Sequence, residues 1–164
     1  MPKSQVVVIN TTPIISLVAA LGDLSLLNLL YDKVYVSYEV GEEIMAHGSE
    51  GFAVRQYQEA TWLTKLTEPV KLSSLLKNVL DIGEASVIQV ALDYNVKTVC
   101  IDEMVGRRFA RLSGLALTGS LGILLRAKQE GHNISIKSSI EQMRANGIWL
   151  SESLIAAVLV RAGE

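Results

Sequence analysis

The chain has one cysteine, three prolines, few aromatic residues and no excess of charge of either sign, and each scarcity excludes something. A single Cys100 rules out an intramolecular disulfide, and its place in an apolar run reads as a buried thiol in a reducing, cytoplasmic compartment. Three prolines in 164 residues leave no linker, and no repeat or low-complexity tract is present, so the expectation is one domain, residues 1–164, with residues 132–164 as a C-terminal helical extension. Long apolar runs are missing too. Leu154 to Val160 falls far short of the roughly 20 residues a membrane span needs, and Val6 to Ile9 is too short for a signal-peptide core, so no membrane partner is expected. Fifteen Lys+Arg against 17 Asp+Glu give a net charge of -2, so a polyanion would have to be met by a local patch. A phosphate loop is absent as well: Gly114 to Gly119 has the glycine spacing, but Ser120-Leu121 stands where Lys and Ser/Thr are required, which excludes an ATPase of that kind.

What the chain does have is short β-branched strands alternating with helices. Val6 to Ile9, Val34 to Val36, Trp62 to Leu66, Thr98 to Ile101 and Leu115 to Leu117 read as five strands, most of them continuous apolar runs of the kind buried on both faces of a parallel sheet. Between them, Thr12 and Pro13 open a helix from Ile14 to Leu21, Asp23 caps Leu24 to Tyr31, Ser37 caps a helix carrying Val40 and Ile44, and Phe52 to Ala60 is helical. Asp81 to Glu84 has capping-box spacing ahead of a stripe through Val87, Ile88 and Ala91. A helix after Asp102 places Val105, Phe109 and Leu112 on one face with Arg107, Arg108 and Arg111 beside it. Leu121 to Glu130 follows, then a helix capped by Ser138 with Glu141, and a last one opened by Ser151. The pattern predicts an α/β/α sandwich, Rossmann-like, with five short parallel strands.

Right-handed crossovers bring the loops after the strands to one edge, where Asn10, Glu43, Glu84 and Asp102 can converge. Asp102 ends a buried strand, with Glu103 competing for its role, and Glu84 faces inward at a helix start. Three carboxylates and a carboxamide repel unless a cation lies among them. Hard oxygen donors suit Mg²⁺ or Mn²⁺, which lowers the pKa of a bound water and stabilises charge developing on a phosphodiester.

V-V-I-N-T-T-P-I-I from Val7, L-D-I-G-E-A from Leu80, I-D-E-M-V-G-R-R-F-A from Ile101 and L-T-G-S-L-G-I-L-L-R-A-K from Leu117 resemble the PIN-domain superfamily, nearest to a branch related to VapC-type toxins. The resemblance spans Val6 to about Gly131. It implies strand order 3-2-1-4-5 and a Mg²⁺- or Mn²⁺-dependent endoribonuclease of a toxin-antitoxin pair, acting on RNA. By the same resemblance Asn10, Glu43, Glu84 and Asp102 match the catalytic positions, with Asn10, Glu84 and Asp102 as metal ligands. Thr12 matches the family's hydroxyl, Arg107 the arginine of the G-R-x-x-A segment, and Thr118 and Ser120 the turn beside substrate phosphate, while Arg108 adds a second phosphate contact. A departure stands at Asn10, where active members commonly have aspartate. The rival reading is therefore a PIN-like binding module with weak or no catalysis. Leu154 to Val160, apolar all round its helix, is expected to associate in a homodimer or with a small antitoxin protein.

Overall fold

The computed structural model describes residues 5–164; the expectation about a leader rests partly on residues 1–4, which lie outside these. Five parallel strands, β1 (Val6–Ile9), β2 (Lys33–Val36), β3 (Thr64–Lys65), β4 (Thr98–Cys100) and β5 (Ala116–Thr118), form one sheet in the order β3-β2-β1-β4-β5. Central β1 sets Val7 against Val34 on one side and Val8 against Val99 on the other. Val7, Val8 and Ile9 are fully buried, as are Val99 and Cys100, because helices cover both faces of the sheet. The expected α/β/α sandwich and its strand order are thus those of the molecule.

The helices are α1 (Thr11–Leu21), α2 (Ser25–Leu30), α3 (Tyr38–Met45), α4 (Val54–Glu59), α5 (Ser74–Val79), α6 (Ile82–Asp93), α7 (Met104–Leu112), α8 (Ser120–Gln129), α9 (Ile136–Ala145) and α10 (Glu152–Ala162). Ser37, Asp81 and Ser151 cap α3, α6 and α10 as expected, each side chain accepting from the N–H three residues on. Elsewhere the boundaries differ. Helix α1 starts at Thr11, directly after β1, and Pro13 is accommodated in its first turn, where N–H groups have no intrahelical acceptor. The start of α2 is Ser25, whose N–H and hydroxyl both bond Asp23. Helix α9 starts earlier than Ser138, which instead donates its N–H to the cap Ser135. Strand β3 is only two residues long, and α5 has no counterpart in the sequence reading.

The largest difference is the inner face of α7. Val105 and Leu112 are 54% and 75% exposed, while Gly106 and Ala110 are buried. A Cβ on Gly106 would stand 3.0 Å from Ile101 Cγ2 and 3.4 Å from Glu84 Cδ, so the helix lies too close to its neighbours for a large side chain. The apolar periodicity of Val105, Phe109 and Leu112 is real, but steric closeness turned the small residues inward.

Helices α9 and α10 pack on α1 and α8, and Ile136, Ile140 and Met143 join the main core. The side chain of Glu164 ties their ends together, accepting from Ile136 N, Lys137 N and Ser135 Oγ and pairing with Lys128. On α10, Ile155 and Val158 are buried whereas Leu154 and Val160 remain exposed. Among the described residues no helix is long and apolar enough to cross a membrane.

Candidate metal centre at the carboxyl edge of the sheet

Position at this edge follows from three local ties. Asn10 leaves β1 with its N–H on the carbonyl of Cys100, fixing the turn into α1. Ser37 Oγ, at the start of α3, lies 2.7 Å from Ser86 Oγ in the first turns of α6, and Ser86 donates to Gly83 O. Helices α3 and α6 are thereby held together, which sets Glu43 beside the amino end of α6. The last tie is at β4, where Asp102 and Glu103 leave the strand consecutively and diverge.

Asp102 turns towards α8. Its Oδ1 accepts from Ser120 N at 2.7 Å and its Oδ2 from Ser120 Oγ at 2.9 Å. Burial raises its carboxyl above the usual range, an effect that the Ser120 bonds and the Arg107 charge oppose. Glu103 turns towards α6, where it hydrogen-bonds Glu84, and Thr12 Oγ1 donates to its Oε1 at 3.1 Å. Asp81, Glu84 and Glu103 each bring one oxygen to a group lying within 4.8 Å of one another. Burial is the main reason Glu84 is pushed up to about 8; the shared hydrogen bond with Glu103 and the charges of Asp81, Glu103 and Glu43 add to it.

A second group adjoins the first. Measured from the point where a side chain on Gly83 would begin, Glu43 Oε2 lies at 2.6 Å, Asp81 Oδ1 at 3.5 Å and Asn10 Oδ1 at 3.6 Å. Thr11 Oγ1 donates to the same Glu43 oxygen at 3.0 Å. Asn10 is only 3% exposed, yet its Oδ1 is buried without a hydrogen-bond partner. Leaving a buried carbonyl oxygen unpaired costs about 1–3 kcal/mol, and a cation would satisfy it. An orphaned oxygen and crowded carboxylates, able to approach closely because Gly83 has no side chain, fit a hard divalent ion.

Gly83→Ala tests that close approach. Its Cβ would displace the end of the Glu43 side chain rather than backbone, and alanine favours a helix by about 1 kcal/mol. The metal-free variant is expected to melt at or slightly above the parent, while the rise in melting temperature on adding Mn²⁺ shrinks. Paired thermal melts check both.

Of the residues picked out by sequence, then, Asn10, Glu43 and Glu84 come together and Thr12 orients Glu103. In the Thr118-Gly119-Ser120 turn the N–H of Ser120 donates to the chain's own Asp102, and Arg107 Nη1 donates to the carbonyls of Ile101 and Thr118. Arg108 is exposed. The sequence carries no signal for Thr11 at this edge, and for Asp81 only that of a cap, its place three residues before Glu84. No curated protein matches the chain. The family model for the PIN domain does, over residues 6–164, and the chain belongs to that family.

Proposed function

We propose that the protein is a Mg²⁺- or Mn²⁺-dependent endoribonuclease of toxin type, working at the carboxyl edge of the sheet. The observation that carries this reading is the buried, unpartnered Oδ1 of Asn10 beside the carboxylate of Glu43, next to the Glu84–Glu103 pair. PIN-domain membership supports a nuclease. Asn10, Glu43, Glu84 and Glu103 would hold the ion, which when bound supplies an activated water and neutralises charge on a phosphodiester. Thr11 and Thr12 hold Glu43 and Glu103 in place. Asp102, clamped by Ser120, fixes the turn from which Glu103 projects and adds negative charge behind it. Exposed Arg108 on α7 meets backbone phosphate, whereas Arg107 braces the ends of β4 and β5. The buried thiol of Cys100 is in keeping with a cytoplasmic setting, and the exposed Leu154 and Val160 of α10 with a homodimer or an antitoxin protein.

The test is cleavage of single-stranded RNA with Mn²⁺ or Mg²⁺, stopped by EDTA. Glu84→Ala and Glu103→Ala should each lose more than the roughly 10- to 100-fold that follows loss of an outer-sphere partner. Equal cleavage by parent and variants would expose a contaminating nuclease and end the proposal. Neutral Asn10 favours one second reading, a binding module without catalysis. RNA binding that persists in the complete absence of metal-dependent cleavage would select it.

A further inference from the structure

We infer that Asp81 is itself a ligand of the metal centre and restores the negative charge that Asn10 does not supply. The inference rests on the reading of the edge as a metal site. Asp81 already has one task, since its Oδ1 caps α6 by accepting from Glu84 N at 2.8 Å. Capping does not require charge, for Ser37, Ser73, Ser135 and Ser151 do the same work for α3, α5, α9 and α10. At α6 the cap is instead a carboxylate, placed beside the Glu84–Glu103 pair.

Two independent features make that placement intelligible. The first is that Asp81 belongs to both oxygen groups: one of its oxygens lies within 4.8 Å of the Glu84 and Glu103 oxygens, and its Oδ1 is among the three oxygens, with those of Glu43 and Asn10, that crowd Gly83. The second is the orphaned Oδ1 of Asn10, buried and lying 3.6 Å from where a Cβ on Gly83 would stand, beside the same oxygens. That oxygen provides a ligand atom but no charge, and an ion held only by Asn10, Glu43, Glu84 and Glu103 would meet one carboxylate fewer than an aspartate at Asn10 would give. A carboxylate capping α6 from the adjoining turn makes up the difference, its Oδ1 both accepting from the helix N–H and facing the Glu43 and Asn10 oxygens across Gly83.

Asp81→Ser separates the two tasks, because serine caps a helix about as well as aspartate and carries no charge. Titration calorimetry with MnCl₂ and melts without metal are done on the parent, Asp81→Ser, Asp81→Asn and Asp81→Ser combined with Asn10→Asp. The expected result is Mn²⁺ binding weakened about tenfold or more in both single variants, the scale at which site partners act, with no fall in metal-free melting temperature. Adding Asn10→Asp should recover most of the loss. A cap defect would lower the metal-free melt and would not be rescued by charge at Asn10. Unchanged Mn²⁺ affinity in Asp81→Ser and Asp81→Asn, or no recovery in the double variant, overturns the inference while leaving the metal centre standing. Absence of Mn²⁺ binding by the parent overturns the metal centre and the inference with it.

Discussion

Glu84→Gln is expected to melt several degrees above the parent protein at pH 8.5 without divalent metal, and to respond far less when Mn²⁺ is added. The reason is the state of Glu84 in the folded chain. Its carboxyl is pushed up to about 8, first by burial and then by the hydrogen bond to Glu103 and the charges of Asp81, Glu103 and Glu43. A free carboxyl titrates near 4.3, so between these two values the folded state holds a proton that the unfolded state has lost. Stability contributed by the protonated group is complete below the lower value and drains away as pH rises through about 8. Above that, the folded protein must carry an ionised Glu84 among three other carboxylates. Glutamine reproduces the protonated acid in shape and donates to Glu103 at every pH. Allowing for solvent screening, the gain at pH 8.5 is about 2 kcal/mol, or roughly 4–8 °C for a chain of this length. Between pH 5 and 8.5 the parent's melting temperature should slope downward more steeply than that of the variant, and saturating Mn²⁺ should flatten the parent's slope by taking the proton's place. Superimposable pH profiles for parent and variant would show that Glu84 is not the strained member of the cluster.

The second large effect is expected at Asn10. Asn10→Asp adds a unit charge beside Glu43 and across Gly83 from Asp81. At 4 Å and an effective dielectric near 20, each unit of ionic charge is worth about 4 kcal/mol to it, and repulsion from the neighbouring carboxylates removes part of that. Mn²⁺ affinity should rise by about tenfold to a hundredfold, and any RNA cleavage should rise with it, more with Mg²⁺ than with Mn²⁺ because Mg²⁺ depends more on charged oxygen ligands. The same substitution should lower the metal-free melting temperature, since no cation then offsets the added repulsion. Calorimetric titration and melts with and without metal measure both halves. Unchanged affinity together with unchanged metal-free stability would place Asn10 outside the centre, despite its unpaired oxygen.

These two substitutions act in opposite directions for one physical reason. The edge of the sheet gathers negative charge that the metal-free fold must tolerate, so removing charge there stabilises the empty protein and adding it does the reverse. Protonation of Glu84 is how the metal-free chain relieves this repulsion. A divalent ion would relieve it more completely.

Local sequence determined much of this protein. Continuous β-branched runs made β1 and β4 central strands, and their alternation with helices made the sheet parallel. Ser37, Asp81 and Ser151 marked helix starts because a cap is a bond within one turn of chain. Strand-to-helix turns then brought Asn10, Glu43 and Glu84 to a common edge, which the handedness of crossovers makes predictable. Tertiary structure decided what depends on the neighbour across the gap. Asp102 and Glu103 are consecutive and chemically alike, so a chain leaving a strand points them opposite ways, and only the Ser120 donors on one side and Glu84 on the other settle which goes where. Burial of Gly106 and Ala110 instead of Val105 and Leu112 was likewise settled by the closeness of Ile101 and Glu84 to α7, a distance that periodicity does not encode. The nearness of the Asp81, Glu43 and Asn10 oxygens belongs to the same class: they can crowd Gly83 because it has no side chain.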